Sequence, residues 1–308
     1  MMNKTYSAYI ELTIGTILAG SSVVVGKIIT TSLPVSLSQC ICLVAALAVL
    51  LPVCCISGGG FPRVQRKDIP FIFLQALFGM FLFRVLMLEG LKHASAVDSG
   101  IITSSTPAVV SILAFIFLKE SLTSHKIFGI LCTVSGIAVI NLMNISNSSG
   151  VPSSSFWGIL LVLCAVVCEA LLTIFRKVSP NEVPPIVGTF YVTLFTFLLF
   201  VPNAALEASK LDFSLITFPQ WMILLYYGIV VTALAYILWF RGISIVPAST
   251  AAAYTGFIPI STLILSVVIL QERITLLHIL GIALALFGIV LISVFEKPGK
   301  TGIAMDNA

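Results

Sequence analysis

Runs of about 20 largely apolar residues, long enough to cross a bilayer as a helix, recur along almost the whole chain. They fall at 9–29, 34–56, 69–90, 96–118, 124–143, 155–177, 184–203, 218–241, 247–270 and 275–295. Polar residues gather in the short gaps, the longest being Ser57–Asp68, Asn144–Ser154 and Ala204–Thr217. The pattern predicts an all-α polytopic membrane protein with ten transmembrane helices and no inserted soluble domain.

Composition sharpens the picture by exclusion. Of 308 residues, 59% are hydrophobic and 9% charged, against roughly 25% charged in a soluble domain. A water-exposed surface cannot be built from so few charges, and the same numbers exclude disorder, a coiled coil and a secreted scaffold. The net charge of +4 is scattered, which argues against nucleic acid as a partner. Seven cysteines, all in apolar runs and without a CxxC pair, predict neither a disulfide framework nor a zinc site. Lys4 and the apolar run to Leu18-Ala19-Gly20 have some signal-peptide character. Glu11 interrupts that run, so the first span is expected to be retained.

Basic residues set the expected orientation in the cell membrane. With the N-terminus inside, the cytoplasmic set is Lys4, Arg63, Arg66, Lys67, Lys119, Lys126, Arg176, Lys177, Arg241, Lys297 and Lys300. The outer set is Lys27, Lys92, Lys210 and Arg273. Both termini are therefore expected in the cytoplasm.

A shift of 152 residues superposes two long segments without a gap. Gly90 falls on Gly242, Ala96 on Ala248, Thr103 on Thr255, Pro107 on Pro259, Glu120 on Glu272 and Gly136 on Gly288. Across Arg84–Ile140, 16 of 57 positions are identical. The shift divides the chain into a five-helix repeat over 1–150 and a second over 151–308. Five is odd, so the second copy enters the membrane upside down, an arrangement typical of secondary transporters.

The chain resembles the drug/metabolite transporter superfamily, specifically its EamA-like branch of ten-span carriers. The resemblance is carried by Gly90-Leu-Lys-His-Ala-Ser-Ala96 leading to Thr106-Pro107, by Leu118-Lys-Glu120-Ser-Leu-Thr123, and by Gly129 and Gly136. Pro247-Ala248, Ile258-Pro259, Glu272-Arg-Ile-Thr275, Gly281 and Gly288 repeat the arrangement. It implies a carrier from a family that moves amino acids, sugars, metabolites and drugs. Glu89 and Glu169 depart from the aromatic or small residues common there.

Interrupted helices at matching places in two halves point to a transporter's binding site, and Pro107 and Pro259 are such a pair. Each proline displaces the carbonyl four residues earlier, here Thr103 and Thr255. With Ser104, Ser105 and Thr106 these form either a cavity lining or a kink satisfied by neighbouring helices. Glu169 lies about 12 Å inside the sixth span. A carboxylate at that depth must face water, find a partner or stay protonated, so it binds a cationic group, carries a coupling proton or makes a structural hydrogen bond. Arg84, about 9 Å from the outer end of the third span, either holds a substrate carboxylate or snorkels to the headgroups. Tyr236, the shift partner of Arg84, and Tyr254 are placed to stack on a substrate or to pack between helices; Trp239 suits an interfacial belt.

The remaining polar residues read as scaffold. Glu120 and Glu272 precede Thr123 and Thr275 as turn and cap residues. Glu11, Glu89 and Asp98 lie near interfaces, where water can reach them. His93, His125 and His278 sit apart near span ends and form no metal set. Gly15, Ala19, Ser22 and Gly26 suit close helix packing.

No GxxxxGK[ST], HExxH or GxSxG motif occurs, so neither ATP drive nor an enzyme is expected. The reading is a secondary transporter, an exporter, of small metabolites such as amino acids, driven by a substrate gradient or protons. A multidrug carrier of cations is the alternative, and an intramembrane enzyme a remote one. No cofactor is expected; the partners are the lipid bilayer and a small-molecule substrate, in a monomer or weak homodimer.

Overall fold

Apolar side chains fill each span, and in lipid such a segment satisfies its backbone groups as a helix. The computed structural model is built from these helices. It describes residues 2–58, 64–119, 123–146, 154–179, 183–243, 245 and 254–294. Arg63, Glu120, Pro247, Ala248, Lys297 and Lys300 of the sequence reading lie outside the described residues.

The first two helices are α1, Met2–Ser32, and α2, Val35–Gly58. Helix α3 begins as Ile69–Ala76, winds through π turns at Leu77–Leu82 and continues as Phe83–His93. Helix α4 is broken into Ala96–Thr103 and Thr106–Leu118. Next come α5, Ser124–Ser146, α6, Phe156–Val178, and α7, Pro185–Ala208. Helix α8 runs Phe218–Leu225, π turns Tyr226–Leu234, then Ala235–Ile243. The last two are α9, Phe257–Leu270, and α10, Leu276–Val294. Among the described residues, seven helical runs are long and apolar enough to cross a membrane, with mean hydropathy from 1.7 to 2.6. No strand occurs among the described residues. The all-helical polytopic architecture is thus the one expected from the apolar runs, with α1 starting earlier and α3 running on to His93.

Local chemistry sets the ends. Pro34 separates α1 from α2. Ser95 and Ser155 cap α4 and α6 by accepting from the amides of Asp98 and Gly158, both at 3.0 Å. Thr217 and Gln220 form a capping box on α8. Lys119 and Gln271 close α4 and the α9 helix in the left-handed conformation, at φ 54° and 53°.

The helices pack in a recurring pattern. Helix α1 packs on α8 and α9, and α6 packs on α3 and α4; α2 packs on α8, and α7 on α3. Adding five to each label, cyclically, turns one member of each pair into the other. The pairs α2–α7, α4–α9 and α5–α10 map onto themselves. The irregularities share the spacing: the π turns Leu77–Leu82 fall on 229–234, inside the second π segment, under the 152-residue shift.

A large apolar core joins α1, α3 and α6 through Val23, Val24, Leu88, Leu91, Val162 and Val166. A second joins α2, α3 and α7 through Leu43, Met80 and Phe200, with Tyr236 packed against it. Phe115, Phe117, Val268 and Phe287 remain exposed, an apolar exterior that suits lipid.

A candidate substrate site at the centre of the bundle

The π turns position the first half of the site. Each carries a residue more per turn than an α-helix, which leaves backbone groups displaced and side chains re-aimed. In α8 the Thr232 hydroxyl donates to the Tyr227 carbonyl five residues back, at 3.0 Å. Just beyond the π turns of α3, the Arg84 guanidinium is buried. Its Nη1 donates to Gln39 Oε1 at 2.6 Å and its Nη2 to Thr232 Oγ1 at 2.8 Å. The guanidinium carbon lies 5.3 Å from the centre of the Tyr227 ring. No carboxylate pairs with Arg84 among the described residues. Beside it Gln39 Nε2, fully buried, has no acceptor. The centre therefore holds a cation and an amide donor, both short of acceptors.

The broken span supplies the second half. Pro107 cannot bond the Thr103 carbonyl, and the Thr106 hydroxyl takes its place, donating to that oxygen at 2.8 Å. The same hydroxyl lies 2.9 Å from Glu169 Oε2. One hydroxyl proton cannot serve both oxygens. The contact thus has two forms: Thr106 donates to an ionised Glu169, or a protonated Glu169 donates to Thr106 while Thr106 serves the Thr103 carbonyl. Glu169 lies on the buried stripe of α6 with Val162, Ala165 and Val166, all fully buried, yet keeps partial access.

Tyr236 lies near both halves. It lies on the stripe of Thr232 and Ala233, both fully buried, within electrostatic reach of Arg84, Glu169 and Tyr227. At 1.5 Å per residue, Arg84 lies about 14 Å from the His93 end of α3, and Glu169 about 14 Å from the Val178 end of α6. The longer α3 puts Arg84 deeper than expected, near the level of Glu169, but the two form no ion pair.

A family model described as the EamA-like transporter family matches residues 7–142 and 156–294. The chain belongs to the EamA-like transporter family. The uncharacterized transporter YetK of Bacillus subtilis strain 168 is 37% identical over 298 residues, covering 96% of this chain and 90% of YetK. An uncharacterized transporter of Archaeoglobus fulgidus is 28% identical over 232 residues, covering 75% of this chain and 79% of its own. A solved crystal structure, 17% identical, covers 96% of this chain and 97% of its own with a TM-score of 0.66, a likeness of fold. The family and the names of these relatives indicate a multi-pass membrane transporter, which is not an enzyme class.

Other residues of this EamA-like chain lie away from the centre. Tyr254 stacks on Tyr9 at 5.9 Å and 9° and touches Phe257, packing with Trp239 against Ala8 and Leu12. Pro259 is buried, and the Thr255 carbonyl accepts from the Ile258 amide at 3.0 Å, so this break is closed by backbone. Ser104 turns inward and donates to Ile101 O. Three expectations need correction. Asp98 is buried rather than solvated and meets His278 and Ser154. Glu11 is buried and pairs with Arg241 at 3.1 Å. Glu272 is a cap, but for α4, accepting from the amides of Ala96 and Val97 at 2.9 Å. Glu89 is exposed and pairs with Lys92 at 2.7 Å. No metal-binding group of three appears among the described residues. Gln39, Tyr227 and Thr232 escaped the sequence reading; an amide inside the second apolar run was the available signal.

Proposed function

We propose that this transporter is a secondary carrier that exports a small bipolar metabolite, such as an amino acid, by alternating access of two five-helix halves, with both termini cytoplasmic. The observation that carries the reading is the pair of opposite intramembrane charges, Arg84 and Glu169, that do not neutralise each other although Tyr236 is in reach of both. A buried ion without a counter-charge is costly, and one ligand bearing a carboxylate and an ammonium supplies both counter-charges. Helix pairs that recur under exchange of the halves, such as α1–α8 with α6–α3 and α1–α9 with α6–α4, support the duplication, with 1–150 and 151–308 as its units. An organic cation alone would leave Arg84 uncompensated and be repelled by it, which disfavours the multidrug alternative.

The two forms of the Thr106–Glu169 contact give Glu169 a proton to carry when no ammonium is bound. Uptake of labelled amino acids into proteoliposomes tests the reading. The wild type is expected to move the zwitterion at least tenfold faster than its carboxamide, which lacks the anionic end, one lost hydrogen bond to a charged group corresponding to about that factor. Glu169→Gln is expected to slow exchange between preloaded vesicles about tenfold, the factor for losing one hydrogen bond to a charged group, and to lose accumulation driven by a pH gradient altogether. Equal transport of the carboxamide, or organic cations moving with amino acids excluded, overturns it.

A further inference from the structure

Gln39, fully buried on α2, meets Arg84 through one end of its amide alone. Its Oε1 accepts from Arg84 Nη1 at 2.6 Å, while its Nε2 has no acceptor. The amide cannot be turned over, because that would set N–H against N–H at the guanidinium. Arg84 is thus held by two neutral oxygens, Gln39 Oε1 and Thr232 Oγ1, and faced by the Tyr227 ring. It is aimed without being neutralised. Two carboxylates on neighbouring helices are engaged elsewhere. Glu207, near the end of α7, accepts from the Leu37 amide at 2.7 Å, and Glu169 of α6 meets Thr106.

For stability alone an amide is a poor choice at this position. Glutamate has the same length and shape, and it would turn a hydrogen bond already formed into a buried ion pair. An arginine buried against neutral partners is the broken half of such a pair, and the missing charge costs stability. Methionine, near in volume, would fill the space with no orphan donor. Glutamine does neither: it leaves Nε2 unmet and Arg84 without a counter-charge. What the amide alone preserves is an arginine that is both oriented and still charged. A bidentate grip on an incoming carboxylate needs both properties.

We propose that Gln39 sets the charge selectivity of the site: it positions Arg84 through a neutral oxygen and so leaves the guanidinium's charge to the substrate's carboxylate. The proposal rests on the bipolar-substrate reading above. Proteoliposome uptake of an amino acid and of its carboxamide, compared in the wild type and in Gln39 variants, tests it. Gln39→Glu is expected to lower amino-acid uptake about 100-fold, the factor for two hydrogen bonds to a charged group. The carboxamide, no longer repelled by an uncompensated Arg84, is expected to move at least as fast as before, so the preference inverts. Gln39→Met is expected to lower amino-acid uptake about tenfold, for one such bond, with the carboxamide unchanged; a merely structural residue lowers both together. Melting curves in lipid nanodiscs without substrate supply a second readout. Gln39→Glu is expected to melt above the wild type, and to lose that gain in an Arg84→Ala background. Parallel loss of both substrates, or a Gln39→Glu protein that fails to fold or does not melt above the wild type, overturns the proposal. A wild type without the preference sinks the transport reading and this proposal with it. A wild type with the preference, and variants that retain it, sink this proposal alone.

Discussion

Arg84→Ala is expected to lower uptake of the proposed amino-acid substrate about 100-fold while leaving the ligand-free protein at least as stable as the wild type. The first effect follows from removing the fork that would hold the carboxylate, since two hydrogen bonds to a charged group together account for about that factor. The second follows from the same burial. Arg84 makes two hydrogen bonds to neutral groups and meets no carboxylate, so the folded protein bears an uncompensated desolvation cost that alanine removes. A purely structural arginine would show the reverse, with a lowered melting temperature. Arg84→Lys keeps the charge but not the planar fork, and about a tenfold loss is expected. Uptake assays and melting curves with and without amino acid check the set. Near-normal uptake by Arg84→Ala, or a large loss of its ligand-free stability with the ligand response intact, sinks the assignment.

A large effect on stability is expected at Gly136. Helices α5 and α10 approach so closely that a β-carbon on Gly136 would lie 2.7 Å from the Gly281 carbonyl oxygen. On Gly288 it would lie 2.6 Å from the Gly129 carbonyl oxygen. Backbone cannot yield as a side chain can, so Gly136→Val must part the two helices. In lipid such contacts depend on small residues that let backbones meet, and overpacking of this kind costs about 3 kcal/mol. Equilibrium unfolding in mixed micelles measures it. Gly136→Val within 0.5 kcal/mol of the wild type, the scatter expected of an innocuous surface change, contradicts the contact.

These four glycines also show what was legible in the sequence. Their repetition at Gly129, Gly136, Gly281 and Gly288 was visible without coordinates, because a duplicated contact leaves a duplicated pattern. The helices were legible because lipid leaves a 20-residue apolar run little alternative. Arg84 and Glu169 stood out because charge is rare and costly at such depth. Their neighbours did not. Gln39, Tyr227 and Thr232 are neutral and lie far from Arg84 in sequence, so periodicity carries no sign of them. Asp98 and His278 were read as separate interfacial residues for the same reason: their meeting depends on α4 packing against α10. Glu272 announced itself as a cap, but sequence favours the nearest helix, and its amides belong to one in the other half.

The π turns were the least visible feature, since no residue type compels them. On the duplication proposed above, their shared place in the two halves means that the surplus residue in each is older than the doubling itself. An ancestral unit of five spans already bore that irregular coil, and the side chains beyond it were already turned by about 100° per added residue. Later divergence could then install arginine in one descendant and tyrosine in the other, Arg84 and Tyr236, without reshaping either backbone: an old asymmetry of winding became a new asymmetry of charge.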